Sequence, residues 1–281
     1  MEAPVASGGG LGKIPSGGRE FPPHINLNEP SIARAYDAVL GGKDNYEVDR
    51  EVARELHRVM PDIRNLAWDN RAILGRGVRH LAAEVGIRQF IDLGSGLPTV
   101  ENTHQVAQRH NPSARVVYVD NDPIVLAHGR ALLEENDNTA VVTADLREPD
   151  AILRLPEVRR LIDLSEPVGI MLVGMLHHLH DDENPKGIVE SYMNACPPGS
   201  YLFLTHFCRS SPDAAQLEDT FLEFLKTGRF RTQEEIEHYF EGLDLVDPGV
   251  VYLPEWRPDE EPERPLTVSQ RLMVGGIARK P

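Results

Sequence analysis

The sequence predicts an α/β fold in which a mostly parallel sheet is covered by helices on both faces and preceded by a helical section. Three observations predict it. Short apolar runs alternate with helical stretches from Arg88 onward, starting with RQFIDLG, ARVVYVD and TAVVTAD. Such runs read as strands buried on both faces and joined by crossover helices. Successive runs end in polar residues, as strands do where an open sheet meets a ligand. The last two strand-like segments have no helix between them, so they should pair antiparallel.

Taken in order, residues 1–24 are rich in Gly, Pro and Ser without an apolar period, and read as a disordered tail. From Ser31, the residues Ile32, Ala35, Tyr36, Val39 and Leu40 recur at helical spacing. Ser31 is placed as the N-cap, and Gly41-Gly42 ends the helix. Further helices are expected over 46–59, stopped by Pro61, and over 63–85, with Ile73, Leu74, Val78 and Leu81 on one face. This divides the chain into a tail (1–24), a helical region (25–86) and a sheet domain (87–281). In the sheet domain RQFIDLG leads to a helix over 100–110, ARVVYVD to one over 123–135, and TAVVTAD to helical residues around 150–162. VGIMLVGML precedes a helix over 184–196, and YLFLTHF is the fifth strand. Two helices follow in succession, 212–227 and 232–240, the second opened by the capping pair Thr232 and Glu235. LDLVDPGVVYL and QRLMVGGIAR are the last strands, separated by PEWRPDEEPERP.

A net charge of −15 argues against a broad nucleic-acid surface or an anionic membrane surface. The one local basic group, Arg71, Arg76 and Arg79 with His80, reads as a solvated helix face. No apolar run of about 18 residues is present, so no transmembrane helix is expected. The N-terminus lacks the apolar core of a secretory signal. Two cysteines, Cys196 and Cys208, do not make a disulfide framework and fit a reducing cytoplasm.

Chemistry concentrates at the strand ends. In DLGSGLPT, Asp92 precedes a turn of Gly94, Ser95 and Gly96. A dinucleotide fingerprint would place Gly or Ala at position 99. Thr99 stands there behind Pro98, which weakens a pyrophosphate site at the following helix. VVYVDND ends in Asp120 and Asn121, and a carboxylate at that point can accept both ribose hydroxyls. Asp122 reads as a cap of the next helix. TADLRE follows the third strand, where Asp145 can accept from an adenine amine and the Leu146 N–H can reach a ring nitrogen.

Together these motifs resemble the class I S-adenosylmethionine-dependent methyltransferases, with a D-x-G-x-G turn, an acid after the second strand and D-L after the third. The resemblance implies a Rossmann-like sheet of order 3-2-1-4-5-7-6 with the last strand antiparallel. It implies S-adenosylmethionine as cofactor, a sulfonium without phosphate, which an acidic turn tolerates. Gly94, Ser95 and Gly96 would line its methionine and ribose, Asp120 would bind ribose, and Ala144, Asp145 and Leu146 would hold adenine. The stretch NLNEPSIARAYDAVLGGKDNYEVDRE, with NRAILGRGVRHLA, WRPD and GGIARKP, resembles an uncharacterised actinobacterial family of such methyltransferases. The helical region then reads as a lid. Its tight polar loop, with Gly42 and Tyr46, is expected to cap the cofactor pocket, Tyr46 lying against an apolar or cationic part of the ligand.

GMLHHLHDD after the fourth strand carries His177, His178 and His180. Adjacent residues on one short segment rarely converge on one ion, so no metal site is expected. Many class I methyltransferases carry a similar LHHL here, and His177 is the first candidate for a general base or substrate contact, with His206 second. Gly174 lets a cofactor approach the backbone closely. The acceptor is expected to be a small molecule. Two rivals stand beside this reading: a nicotinamide-dependent oxidoreductase, whose glycine pattern Thr99 breaks, and a cofactor-binding sensor or interaction protein without transferase activity. The oligomeric state is not fixed by the sequence.

Overall fold

Among the described residues eight strands form one sheet in the order β3-β2-β1-β4-β5-β8-β6, with β7 also paired to β8. The computed structural model describes residues 26–132 and 136–281. The expected tail, 1–24, lies outside the described residues. The strands are β1 (Gln89–Leu93), β2 (Arg115–Asp120), β3 (Thr139–Thr143), β4 (Gly169–Val173), β5 (Tyr201–Phe207), β6 (Asp244–Leu245), β7 (Val251–Tyr252) and β8 (Met273–Arg279). β1 to β5 are parallel, and β8 runs antiparallel to β5, β6 and β7. LDLVDPGVVYL, expected as one strand, is two. Pro248 has no N–H to give to the ladder, so pairing with β8 stops after Leu245 and resumes at Val251. The connectivity is otherwise the expected one, with β8 in the place of the seventh strand.

Side chains alternate along each strand and build two cores. On one face Phe90, Met171 and Phe203 meet α1 (Ile32–Leu40), α2 (Glu47–Val59), α3 (Ile63–Arg79), α4 (Thr103–His110) and α9 (Pro212–Leu225). On the other, Ile91, Val117 and Leu204 meet α6 (Pro149–Ile152), α7 (Pro156–Leu161), α8 (Pro185–Ala195) and α10 (Gln233–Glu237). The expected helix over 150–162 is interrupted because Pro156 starts a new one and holds Leu155 extended. α5 (Pro123–Leu132) follows β2, and the end of its expected span, to 135, lies outside the described residues. Ser31 caps α1 by accepting the Arg34 N–H at 3.2 Å, and Gly41 closes the helix in the left-handed region.

The helical region is continuous with the sheet core. The buried stripe of α3 runs Ile63, Leu66, Ala67, Asn70, Ile73, Leu74, Gly77 and Val78, a helical period with one polar residue, Asn70, inside it. Among the described residues no helix is long and apolar enough to cross a membrane.

Candidate active site

A cavity of about 330 Å³ opens over the carboxyl ends of β1, β2 and β4, on the side covered by α1 to α3. Order reverses there between β1 and β4, the place where open α/β sheets bind ligands. Of the residues expected from sequence, Asp92, Gly94, Ser95, Gly96, Asp120 and Asn121 line it together, as do Gly174 and His177.

The glycine turn is held to the neighbouring strand. Gly94 and Gly96 have φ of 72° and 66°, where a side chain would be strained. The Gly94 N–H donates to the Val119 carbonyl at 2.7 Å, and the Gly96 N–H to Asp120 Oδ2 at 2.9 Å. Asp120 Oδ1 accepts the Asp122 N–H at 2.9 Å, and Asp122 Oδ1 accepts the Ile124 N–H at 2.8 Å, as a helix cap should. The turn therefore presents a carboxylate already oriented by two backbone donors, with lone pairs left for a ligand.

Burial raises the carboxyl pKa of Asp92 to about 6, against the lowering effects of the Thr103 hydroxyl at 2.7 Å and of the Arg71 charge. Burial likewise raises Asp120 to about 6, and the charges of Asp122 and Asp92 add to it. A ribose or ammonium group needs the ionised forms, so S-adenosylmethionine affinity is expected to fall as pH drops through about 6. Stability of the free protein has the opposite sign. The contribution of each group is fully present below its ordinary value near 3.8 and is lost as pH rises through about 6. Asp120→Asn, which cannot ionise, is expected to compare better with the wild type in melting temperature at pH 8 than at pH 5, and to flatten the acid loss of affinity. Thermal melts and calorimetry at the two pH values check both signs.

Five expected contacts lie off the cavity wall. Asp145 is committed elsewhere: Arg147 Nε donates to its Oδ1 at 2.8 Å, and that guanidinium holds its carboxyl below the usual range. Ala144 gives its N–H to the Asp120 carbonyl, and Leu146 is buried in the opposite core, its carbonyl accepting the Tyr192 hydroxyl. The wall of the cavity on this side is instead Asn121 and Asp122. Gly42 and Tyr46 are absent from it because their loop winds around Asp37. Asp37 Oδ2 accepts the Asp44 N–H at 2.9 Å and Asn45 Nδ2 at 2.7 Å, and a Cβ at Gly42 would collide with that carboxylate. Tyr46 packs on Ala33, Leu97 and Ile124, with the Arg34 guanidinium 5.2 Å above its ring. From the helical region the wall draws instead on the preceding turn and helix: Pro30, Ser31, Ile32, Ala33, Ala35, Tyr36 and Val39.

His177 is 3% exposed, and its Nδ1 is buried without a partner. Burial, followed by the charges of His178, His206 and Arg231, holds its pKa well below the ordinary value, so the ring is neutral at pH 7. His206 does not line the cavity; its Nδ1 bonds the Phe207 carbonyl at 2.7 Å and its Nε2 accepts from Arg231 Nη1 at 3.0 Å. No group of three or more His, Cys, Asp or Glu among the described residues could hold a metal ion.

Sequence reasoning missed Arg71 and Asn70. Arg71 is the only Lys or Arg on the described cavity wall. Its Nη2 donates to the carbonyls of Val100 and Glu101, and its Nε is buried without a partner. The expected solvated basic face does not form: Arg71 turns into the cavity, and Arg76 donates to the carbonyls of Trp256 and Leu253. The signal for Asn70 was available, a polar residue on the buried phase of α3. It donates toward Tyr36 and accepts the Thr205 hydroxyl at 2.7 Å.

A model of one protein family, the S-adenosyl methyltransferases, matches residues 19–281. The chain belongs to this family. Its cofactor is S-adenosylmethionine, and the acid-and-glycine half of the cavity fits that group: a glycine cradle, an oriented carboxylate and a guanidinium whose Nε has no partner among the described residues. A candidate methyltransferase from Thermobifida fusca YX is similar at 54% identity and a TM-score of 0.87, over 90% of this chain and 97% of that one. A DUF574 family protein from Streptomyces avermitilis MA-4680 is similar at 38% identity and 0.87, over 91% and 99%. An O-methyltransferase family protein from Burkholderia thailandensis, at 13% identity and 0.50 over 83% and 61%, shares the fold alone, that of the class I methyltransferases. No curated protein matches the methyltransferase chain.

Proposed function

We propose that this methyltransferase acts on a small-molecule acceptor seated beneath α1, in a cytoplasmic setting, as a member of the actinobacterial group its N-terminal motif resembles. One observation carries the reading: the cavity has two chemically different halves. At the strand ends it is polar and holds every charged residue of the described wall. Beneath α1, α2 and α9 it is apolar, enclosed by residues such as Val39, Leu56, Leu66 and Leu225. A nucleic-acid substrate would need basic charge, which a net charge of −15 does not supply. Both cysteines are free and buried, in keeping with a reducing compartment.

Asp120 holds the ribose hydroxyls, and the backbone at Gly94, Ser95 and Gly96 runs along the ribose and methionine. Arg71 takes the methionine carboxylate and Asp92 its ammonium. When bound, S-adenosylmethionine would supply an activated methyl group carried on a sulfonium, with a neutral thioether as the leaving group. His177, neutral and on the cavity wall, accepts the proton that the acceptor sheds and passes it to water. Holding the reactants in line is the larger part of the catalysis. The helical region 25–86 acts as the lid.

Release of S-adenosylhomocysteine tests this. Incubation with S-adenosylmethionine and the small-molecule fraction of a cell extract is expected to yield it, and the macromolecular fraction is expected not to. Release only with the macromolecular fraction would overturn the acceptor reading, and binding without release from any fraction would favour a sensor.

A further inference from the structure

The inner half of the cavity carries information about what it accepts. We propose that it selects a flat, uncharged, largely apolar acceptor bearing one hydroxyl or N–H group, which donates to the imidazole of His177. The inference rests on the methyltransfer reading above and adds the acceptor's chemical class.

Charge segregation is the first ground. The ionisable acids and the one guanidinium of the described wall, Asp92, Asp120, Asp122 and Arg71, all stand at the strand ends. None stands among α1, α2, α9 and the far half of α3. A charged acceptor there would lose its hydration and meet no counter-charge, a large penalty.

Ring geometry is the second. His177 lies edge-to-face on Phe207, with centroids 4.7 Å apart at 89°, and Phe207 meets Phe221 at 5.3 Å and 66°. His178 adds a tilted contact with Phe221 at 6.0 Å. An aromatic wall of this kind gives its best contacts to a flat ring, offset or edge-on.

Hydrogen-bond accounting is the third. The Tyr36 hydroxyl, the Asn70 amide and one nitrogen of His178 in the inner half already have partners. The Tyr36 hydroxyl donates to the Ala67 carbonyl at 3.0 Å, Asn70 bridges Tyr36 and Thr205, and His178 Nδ1 pairs with the Thr227 hydroxyl at 2.8 Å. His177 Nδ1, sealed from solvent, has none among the described residues. A polar ring on the cavity wall that makes no bond within the chain is available to a ligand. A neutral imidazole offers one lone pair, which one O–H or N–H satisfies. Volume is the fourth ground. At about 330 Å³ the whole cavity is at the low end of ligand sites, roughly 300–1,000 Å³, and it also receives part of the cofactor. The acceptor is therefore compact.

Three probes of matched shape test the class against protein saturated with S-adenosylhomocysteine: 2-naphthol, naphthalene, and 6-hydroxy-2-naphthoate. Binding is read by calorimetry. The expected order is 2-naphthol tighter than naphthalene by about tenfold, the upper worth of one neutral hydrogen bond, with the naphthoate weakest. In His177→Phe, which keeps the aromatic wall, the preference for naphthol over naphthalene should vanish while naphthalene and S-adenosylhomocysteine still bind, which also reports that the variant is folded. Equal or tighter binding of the naphthoate, no binding of either neutral probe, or a naphthol preference that survives in His177→Phe would overturn the proposal. Failure of S-adenosylhomocysteine itself to bind would instead overturn the underlying cofactor placement.

Discussion

Replacing Asp120 with alanine is expected to weaken S-adenosylmethionine binding about 100-fold. A carboxylate that accepts two ribose hydroxyls makes charge-assisted bonds, and losing them is worth about 3 kcal/mol, or two factors of ten. The same change removes the acceptor that holds the Gly96 and Asp122 N–H groups, so the glycine turn loses its anchor to the end of β2. Asp120→Asn is the milder case, keeping one amide oxygen for the turn. Calorimetric dissociation constants for the wild type and both variants check the order. An unchanged constant for Asp120→Ala would remove Asp120 from the cofactor site.

Arg71→Gln is expected to weaken S-adenosylmethionine by about 10- to 100-fold, the range of one charged hydrogen-bonded contact of about 1.5–3 kcal/mol. 5′-Methylthioadenosine, which lacks the amino-acid end, is expected to bind both proteins alike. The contrast separates two roles. Arg71 also donates to the Val100 and Glu101 carbonyls, and a guanidinium that only propped that loop would affect both ligands equally. Parallel titrations with the two ligands decide between them, and equal losses would take the methionine carboxylate away from Arg71.

The parts of the fold written in local pattern were legible in the sequence. Strands buried on both faces announce themselves as apolar runs, and β1 to β5 fell where those runs stood. The split of LDLVDPGVVYL could have been read from Pro248, which cannot serve a ladder. The glycine turn and Asp120 were legible because backbone conformation and strand-end position restrict residue type there. Asp145 stands off the cavity wall for a different reason. Its side chain is claimed by Arg147, two residues on, and a competition between a ligand and a neighbouring guanidinium has no signature in spacing. The loop of Gly42 and Tyr46 was correctly seen as tight and polar, but its glycine serves the Asp37 carboxylate rather than a ligand. That the roof is α1 itself depends on how α1 packs over the ends of β1 and β2, a tertiary fact. Arg71 looked like surface because three arginines in nine residues usually are; the packing of α3 on the 97–102 loop turns it inward, as the carbonyls of Leu253 and Trp256 do Arg76.

The central claim is that S-adenosylmethionine occupies the strand-end half of this cavity, against Asp120. Calorimetric titration of the wild-type chain with S-adenosylmethionine and NAD, repeated on Asp120→Ala, tests it most directly. The expected result is one S-adenosylmethionine site per chain, no heat from NAD, and the S-adenosylmethionine site lost or severely weakened in the variant. Binding of NAD in place of S-adenosylmethionine, or S-adenosylmethionine binding indifferent to Asp120, would contradict it.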